Sequence, residues 1–331
     1  MTSSAPRVTV IMPTHNGQQF LAAAIDSVLT QTLTDLELIV VDDGSTDATP
    51  ALLADYAKRD VRLRVLTRPK ASGGPTIPKN QAIAVARGGY LCFLDHDDIY
   101  LPGKLAAMCE AMDAHPAWVA AFHDVQLIHG DGRHFDNTYL GDHDFLNAAA
   151  DYLTPLQTSR PWFECSADYY IFMSLRYAGI HTDSVIVAPA RCLADPISFR
   201  KRFRGSDDTD LWLRIGAQGR MGFLNEVQAL YRIHPGNLSA DAIRMNENGI
   251  ELHRANISYA AQRMNAEQLG RYRAKINKYQ TELGYKLYMV GQFGRSRAVY
   301  WRALREGALA RGLQGIAKAS LHQLWRGVKP S

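Results

Sequence analysis

Short apolar runs that stop at acidic residues constrain the fold of this chain more than any other feature. Leu38-Ile39-Val40-Val41 runs into Asp42-Asp43-Gly44-Ser45, and Tyr90-Leu91-Cys92-Phe93-Leu94 runs into Asp95-His96-Asp97-Asp98. Runs of Val, Ile and Leu without polar alternation suit strands buried on both faces, the environment of a parallel sheet. Residues 8–12, 37–41, 61–66 and 90–94 read as strands, and 20–30, 51–58, 77–86 and 101–114 as helices between and after them. Pro50 suits the first turn of the second helix, and Gly88-Gly89 stops the third. This alternation predicts a doubly wound, mostly parallel α/β sheet. Further along, 117–128, 182–188, 221–224 and 227–233 read as extended and 206–218 as helical, while 130–178 shows no clear period.

Acids just past such strands fall at the carboxyl edge, where open α/β sheets bind ligands. Several carboxylates converging there repel one another unless a cation joins them. The pattern therefore points to a divalent metal and a phosphate-bearing substrate. A chain of 331 residues holds one large domain, or one domain and an appendage. Charge divides it: of 37 Lys and Arg and 33 Asp and Glu, 16 basic and 6 acidic residues follow position 240, leaving 21 against 27 before it. The acidic part fits a metal site, and the basic part fits an anionic surface or partner. Cys92, Cys109, Cys165 and Cys192 form no CxxC pair, which argues against structural zinc and fits a reducing compartment. The start of the chain lacks a signal-peptide pattern, and no stretch approaches the roughly 20 apolar residues of a membrane span. A cytoplasmic catalytic region is expected.

Six segments extend the argument. They are Pro13-Thr14-His15-Asn16-Gly17 after the first strand, Asp42-Asp43-Gly44-Ser45-Thr46-Asp47, Gly73-Gly74-Pro75 through Lys79-Asn80, Asp95-His96-Asp97-Asp98, Gly205-Ser206-Asp207-Asp208-Thr209-Asp210, and Tyr231-Arg232-Ile233-His234-Pro235-Gly236-Asn237-Leu238-Ser239. In this order they resemble the inverting, metal-dependent glycosyltransferases of family 2, which have the GT-A fold. The resemblance implies a catalytic domain over residues 1–240 and a basic helical region over 241–331.

The resemblance also implies roles. Pro13, Thr14, Asn16, Asp42 and Asp43 would line the nucleotide pocket, with Asp95 nearer the ribose. A carboxylate there can accept hydrogen bonds from a base N–H or from ribose hydroxyls. Asp97 and His234 would hold Mn²⁺ or Mg²⁺, which neutralises a departing diphosphate as a Lewis acid. Lys79 stands where the family usually has Arg, and it meets phosphate as a point charge rather than a bidentate fork. Arg232 shares a strand face with His234 and also suits phosphate. Asp208 would be the general base that takes the acceptor hydroxyl's proton. Asp207 stands where the family usually has Glu, and Ala82 where it has Gly.

Plainer readings stand beside these. Asp42-Asp43-Gly44 could be a turn with Ser45 or Thr46 capping the next helix. The acids of 207–210 could serve only the dipole of the helix they begin. Trp212 could be core or the floor of an acceptor pocket. Asp98 could support its neighbours or cap a helix, and His96 is not expected to be a ligand. His123, Asp124, His129 and Asp131 suggest a second metal cluster, but Asp131-Gly132 reads more simply as a hairpin turn.

In the C-terminal region Leu309, Leu313, Ile316, Leu321, Leu324 and Trp325 recur at helical intervals with Arg311, Lys318, Arg326 and Lys329. That stripe suits either an anionic membrane surface or packing against the catalytic domain. Residues 291–305 resemble one helical-repeat unit. No nucleic-acid motif is present. The expected activity is sugar transfer from a nucleoside-diphosphate sugar to a hydroxyl of a saccharide or lipid-linked acceptor in surface polysaccharide assembly. Acceptor and donor selectivity would lie in 130–178 and 198–205. A nucleotidyltransferase and a non-catalytic nucleotide-sugar-binding protein are the alternatives.

Overall fold

The computed structural model describes residues 5–176, 179–203, 205–237 and 241–327, without the side chains of 309, 310 and 321–327. Tyr177, Ala178 and Arg204 of the two selectivity segments, Leu238 and Ser239 of the last motif, Ala240 at the expected domain boundary and Lys329 lie outside the described residues. So do the side chains of Leu309, Leu321, Leu324, Trp325 and Arg326 from the C-terminal stripe. The chain divides into two units, 1–235 and 236–331.

The first unit alternates strand and helix through β1 (Val8–Thr14), α1 (Leu21–Leu29), β2 (Leu36–Asp42), α2 (Thr49–Arg59), β3 (Leu63–Thr67), α3 (Thr76–Ile83) and β4 (Tyr90–Phe93). β1, β2 and β4 are buried along their whole length, as their mostly apolar sequences require, with the buried Glu37 of β2 paired to Arg64 and Arg87. β5 (Ile99–Tyr100), α4 (Lys104–Ala114), β6 (Trp118–His129) and β7 (His134–Thr138) follow. The region without sequence period holds α5 (Phe145–Ala148), β8 (Leu153–Pro155), β9 (Trp162–Cys165) and α6 (Tyr169–Leu175). β10 (Val185–Val187), α7 (Asp207–Gly216) and β11 (Arg220–Ile233) complete the unit.

The strand order is β3-β2-β1-β4-β10-β6-β11-β9-β8, with β5 paired to β11 and β7 to β6. β3, β2, β1 and β4 are mutually parallel, β10 is antiparallel to both β4 and β6, and β11 is parallel to β6. Register pairs Thr14 with Asp42, so the turns after β1 and β2 leave the sheet side by side. Gly44 permits this at φ 70°; a Cβ there would stand 2.7 Å from the Ala71 amide nitrogen. The core lies between the sheet and its helices, where Val8, Val10 and Met12 meet Leu21, Ile25 and Val28. Each such side chain contributes roughly 1.5–3 kcal/mol by leaving water.

Three local departures from the sequence reading have physical causes. β3 starts at Leu63, because Arg62 folds back onto Asp60 and Val61 points to solvent. Thr182–Ser184 is a 3₁₀ turn that delivers the chain to a three-residue β10. The expected break at 225–226 is a bulge inside the continuous strand β11, with register shifting between Leu224 and Val227. Asp131-Gly132 turns the β6–β7 hairpin as read, with Gly132 at φ 88°. Asp124 accepts hydrogen bonds from the Val125 and Leu140 amides and Thr138, which ties it to that hairpin.

The second unit is helical: α8 (Ala242–Ala255), α9 (Ile257–Arg263), α10 (Ala266–Met289), α11 (Phe293–Arg305) and α12 (Leu309–Gly327). Asp241 caps α8, and Asn265 with Gln268 forms a capping box on α10. Tyr300 inserts where Gly284 and Gly315 leave room; a Cβ on either would lie within 3 Å of its ring. Among its described side chains, α12 therefore buries small residues, Gly312, Gly315 and Ala319, while Leu313 is exposed. No described helix is long and apolar enough to cross a membrane.

Candidate functional site

The paired turns after β1 and β2 build one wall. Asn16, held at φ 51°, accepts the Thr46 amide at 2.8 Å, and its own amide donates to the Ser45 hydroxyl at 2.8 Å. Asp47, not Ser45 or Thr46, meets the start of α2, accepting the Thr49 amide at 2.9 Å. Asp42 accepts the Ser45 amide at 3.0 Å. Asp43 engages both oxygens: Arg68 donates at 2.7 Å, and the Ser72 amide and hydroxyl donate at 2.9 and 2.6 Å. Asp43 thus clamps the loop after β3 to the sheet edge. Pro13 is buried in β1, and the buried Thr14 hydroxyl beside it has no hydrogen-bond partner.

The acidic loop after β4 is held from several directions. The Arg232 amide donates to Asp98 at 2.6 Å and its Nε to the Asp97 carbonyl at 2.9 Å. The Arg232 guanidinium also reaches the Gly130 carbonyl at 3.2 Å and lies over the Phe20 ring. These contacts carry the end of β11 past the loop and set His234 Nε2 2.8 Å from Asp97 Oδ2. An imidazole nitrogen and a carboxylate oxygen at that spacing suit one edge of an octahedral cation site, where bonds near 2.1 Å put adjacent donors about 3 Å apart. The donor set fits a divalent metal. His96 instead lies against Gly17.

Lys79 joins this loop to the third acidic segment. Its side chain is 2% exposed, and its ammonium is 3.6 Å from Asp95, 3.9 Å from Asp207 and over the Phe199 ring. Burial alone would lower its pKa, but Asp95 and Asp207 outweigh burial and hold it above the ordinary lysine value. Asp207 shows the opposite balance. Burial pushes its carboxyl up to about 6 against the pull of Lys79, with the charges of Asp208 and Asp95 adding to the rise.

α7 places its acids differently from one another. Asp208 is half-buried, accepting the Thr209 amide at 2.7 Å and the Thr182 hydroxyl at 3.2 Å. Asp210 is fully buried between Arg200 at 3.0 Å and Arg214 at 3.1 Å, a structural ion pair. Trp212 is also fully buried, against Phe93 and Phe199, which assigns it to the core. Gly205 and Ser206 both turn into α7 with positive φ, 124° and 56°.

Two residues here escaped the sequence reading. Asp183, fully buried, accepts the Asp95 amide at 3.0 Å and lies 3.1 Å from His181 Nδ1. Burial alone would raise its pKa, but His181 holds it below the ordinary carboxylate range. Carboxylate oxygens of Asp95, Asp98 and Asp183 lie within 4.8 Å of one another, a second set of possible cation ligands. Asp183 precedes its apolar run, whereas Asp42 and Asp95 follow theirs. Because β10 is antiparallel to β4, the start of β10 reaches the edge where β4 ends. An acid before a run therefore carried the same signal.

Residues 9–156 match Glycosyl transferase family 2. The succinoglycan biosynthesis protein ExoO of Rhizobium meliloti (strain 1021) is 38% identical over 128 residues, 39% of this chain and 36% of that relative. The chain thus spans about a third of that relative's length. The S. aureus TarS 1–349 structure in complex with UDP-GlcNAc superposes with a TM-score of 0.60 at 16% identity, covering 97% of this chain and 92% of that one. The mannosyltransferase PcManGT from Pyrobaculum calidifontis, in complex with GDP-Man and Mn²⁺, gives 0.58 at 17% identity, covering 98% and 88%. These likenesses establish the fold as that of GT-A glycosyltransferases.

Proposed function

Because this chain belongs to glycosyl transferase family 2, we propose that it transfers a sugar from a nucleoside-diphosphate sugar to an acceptor hydroxyl, inverting the anomeric carbon in one displacement. The observation that carries the reading is the bridge made by Lys79, which brings the acidic loop after β4 and the start of α7 to one ammonium. A donor-side cluster and a candidate base then share one edge of the sheet. The complexes of PcManGT with GDP-Man and Mn²⁺ and of TarS with UDP-GlcNAc support a donor of this class.

In this reading the nucleoside occupies the wall formed by Pro13, Thr14, Asn16, Asp42 and Asp43, with Asp95 toward the ribose. Asp97 and His234 would hold a divalent cation, Mn²⁺ or Mg²⁺, which supplies charge neutralisation to the leaving diphosphate. Lys79 adds a positive charge on the same side, and Arg232 keeps the acidic loop in place. Asp208 accepts the proton of the attacking hydroxyl as the new C–O bond forms and the bond to the diphosphate breaks. The polysaccharide-assembly relative favours a saccharide or lipid-linked acceptor. The basic second unit suits an anionic lipid surface at the inner face of the membrane, where such an acceptor would be met.

Asp208→Asn tests the assignment. General-base catalysis is worth roughly 10²–10⁴-fold, so transfer should fall by at least about 100-fold while donor binding persists. Unchanged transfer would overturn the role of Asp208.

A further inference from the structure

The turn that carries Thr182 and Asp183 touches two parts of the site at once. The Thr182 hydroxyl donates to Asp208 Oδ2 at 3.2 Å, and Asp183 Oδ1 accepts the Asp95 amide at 3.0 Å. The turn itself is rigid. The Ser184 hydroxyl closes it onto the His181 carbonyl at 2.8 Å, and Lys104 Nζ donates to the Asp183 carbonyl at 2.6 Å. His181 braces the Asp183 carboxylate from its far side at 3.1 Å. Thr182, Asp183 and Ser184 are all at most 4% exposed. Buried side chains with several fixed partners hold their rotamers, and a site placed on such supports keeps its geometry.

We propose that residues 181–183 form a positioning element that aligns the two halves of the reaction centre, Thr182 orienting the Asp208 carboxylate and Asp183 fixing the acidic loop at Asp95. The proposal deepens the reading of Asp208 as the base and rests on it. With Oδ1 of Asp208 held by the Thr209 amide and Oδ2 by the Thr182 hydroxyl, the carboxylate cannot rotate freely. Each oxygen keeps a further lone pair with which to accept the proton of the incoming hydroxyl. Adjacent residues of one turn reach both segments, so a shift of either segment strains the same support. Neither Thr182 nor Asp183 needs to touch the substrate.

The test uses the full chain with UDP- and GDP-sugars plus Mn²⁺. It follows release of nucleoside diphosphate with water as surrogate acceptor, alongside donor affinity by calorimetry. Thr182→Val should lower turnover about tenfold at unchanged donor affinity, and Thr182→Ser should restore it to within about twofold. Asp183→Ala should weaken Mn²⁺-dependent donor binding about tenfold, whereas Asp183→Asn, which keeps an acceptor for the Asp95 amide, should retain most of it. Far-UV dichroism of each variant checks the fold. If Asp208→Asn abolishes turnover while Thr182→Val matches the parent, the alignment by Thr182 is wrong and the base assignment stands. If Asp208→Asn turns over normally, the base reading fails and the Thr182 half goes with it. The Asp183 half is still decided by donor affinity: equal binding by Asp183→Ala and the parent would overturn it.

Discussion

Asp207 should destabilise the fold at neutral pH, and Asp207→Asn should reveal by how much. The residue is 3% exposed, and its Oδ2 lacks a hydrogen-bond partner. Burial raises its pKa to about 6 from an unfolded value of 3.8. The folded chain therefore holds this proton more tightly than the unfolded chain. Stability from that proton is fully present below about pH 4 and is lost as pH rises to about 6. A shift of about two units corresponds to about 3 kcal/mol. Asn does not titrate, so the stability difference between Asp207→Asn and the parent should move in the variant's favour by about 3 kcal/mol between pH 4 and pH 8. The neighbouring Asp208 and Asp95 carboxylates share in that rise, so the sign of the change with pH is the readout. Urea unfolding followed by far-UV dichroism at several pH values reads the difference directly. A difference that stays constant, or a parent that gains on the variant as pH rises, would refute the reasoning.

Two further perturbations probe other parts of the site. Gly44→Ala forces a side chain into a left-handed turn with its Cβ 2.7 Å from the Ala71 amide, so it should cost at least about 1–2 kcal/mol in unfolding free energy and weaken nucleotide binding. His234→Ala removes the partner 2.8 Å from Asp97, and calorimetry with Mn²⁺ should show donor affinity falling about 10- to 100-fold, with little change in EDTA.

The parts of this molecule that follow a period were legible in its sequence. β1, β2 and β4 are mostly apolar because both of their faces are covered, and the acids after β2 and β4 mark where those runs leave the sheet. Segments set by tertiary contacts were not legible. Residues 130–176 fold as a hairpin and short pieces around Phe122, Phe145, Phe172 and Phe223, whose rings pack across the sheet rather than along any one helix. Asp183 was hidden because strand direction cannot be read from a run of Val and Ile alone. The exposed Leu313 shows the same limit in the second unit: an apolar stripe on α12 was visible, but Gly312 and Gly315 form its packed face, because the close approach of Leu304 and Tyr300 leaves no room for a Cβ.

Metal-dependent donor binding is the most direct test of the central reading. Calorimetric titration of the purified chain with UDP-, GDP-, dTDP- and CMP-sugars, in Mn²⁺ and again in EDTA, would settle it. The site described here predicts that one nucleoside-diphosphate sugar binds at micromolar concentration in Mn²⁺ and at least about tenfold more weakly in EDTA. Equal affinity in both conditions, or no binding of any diphosphate donor, would contradict it.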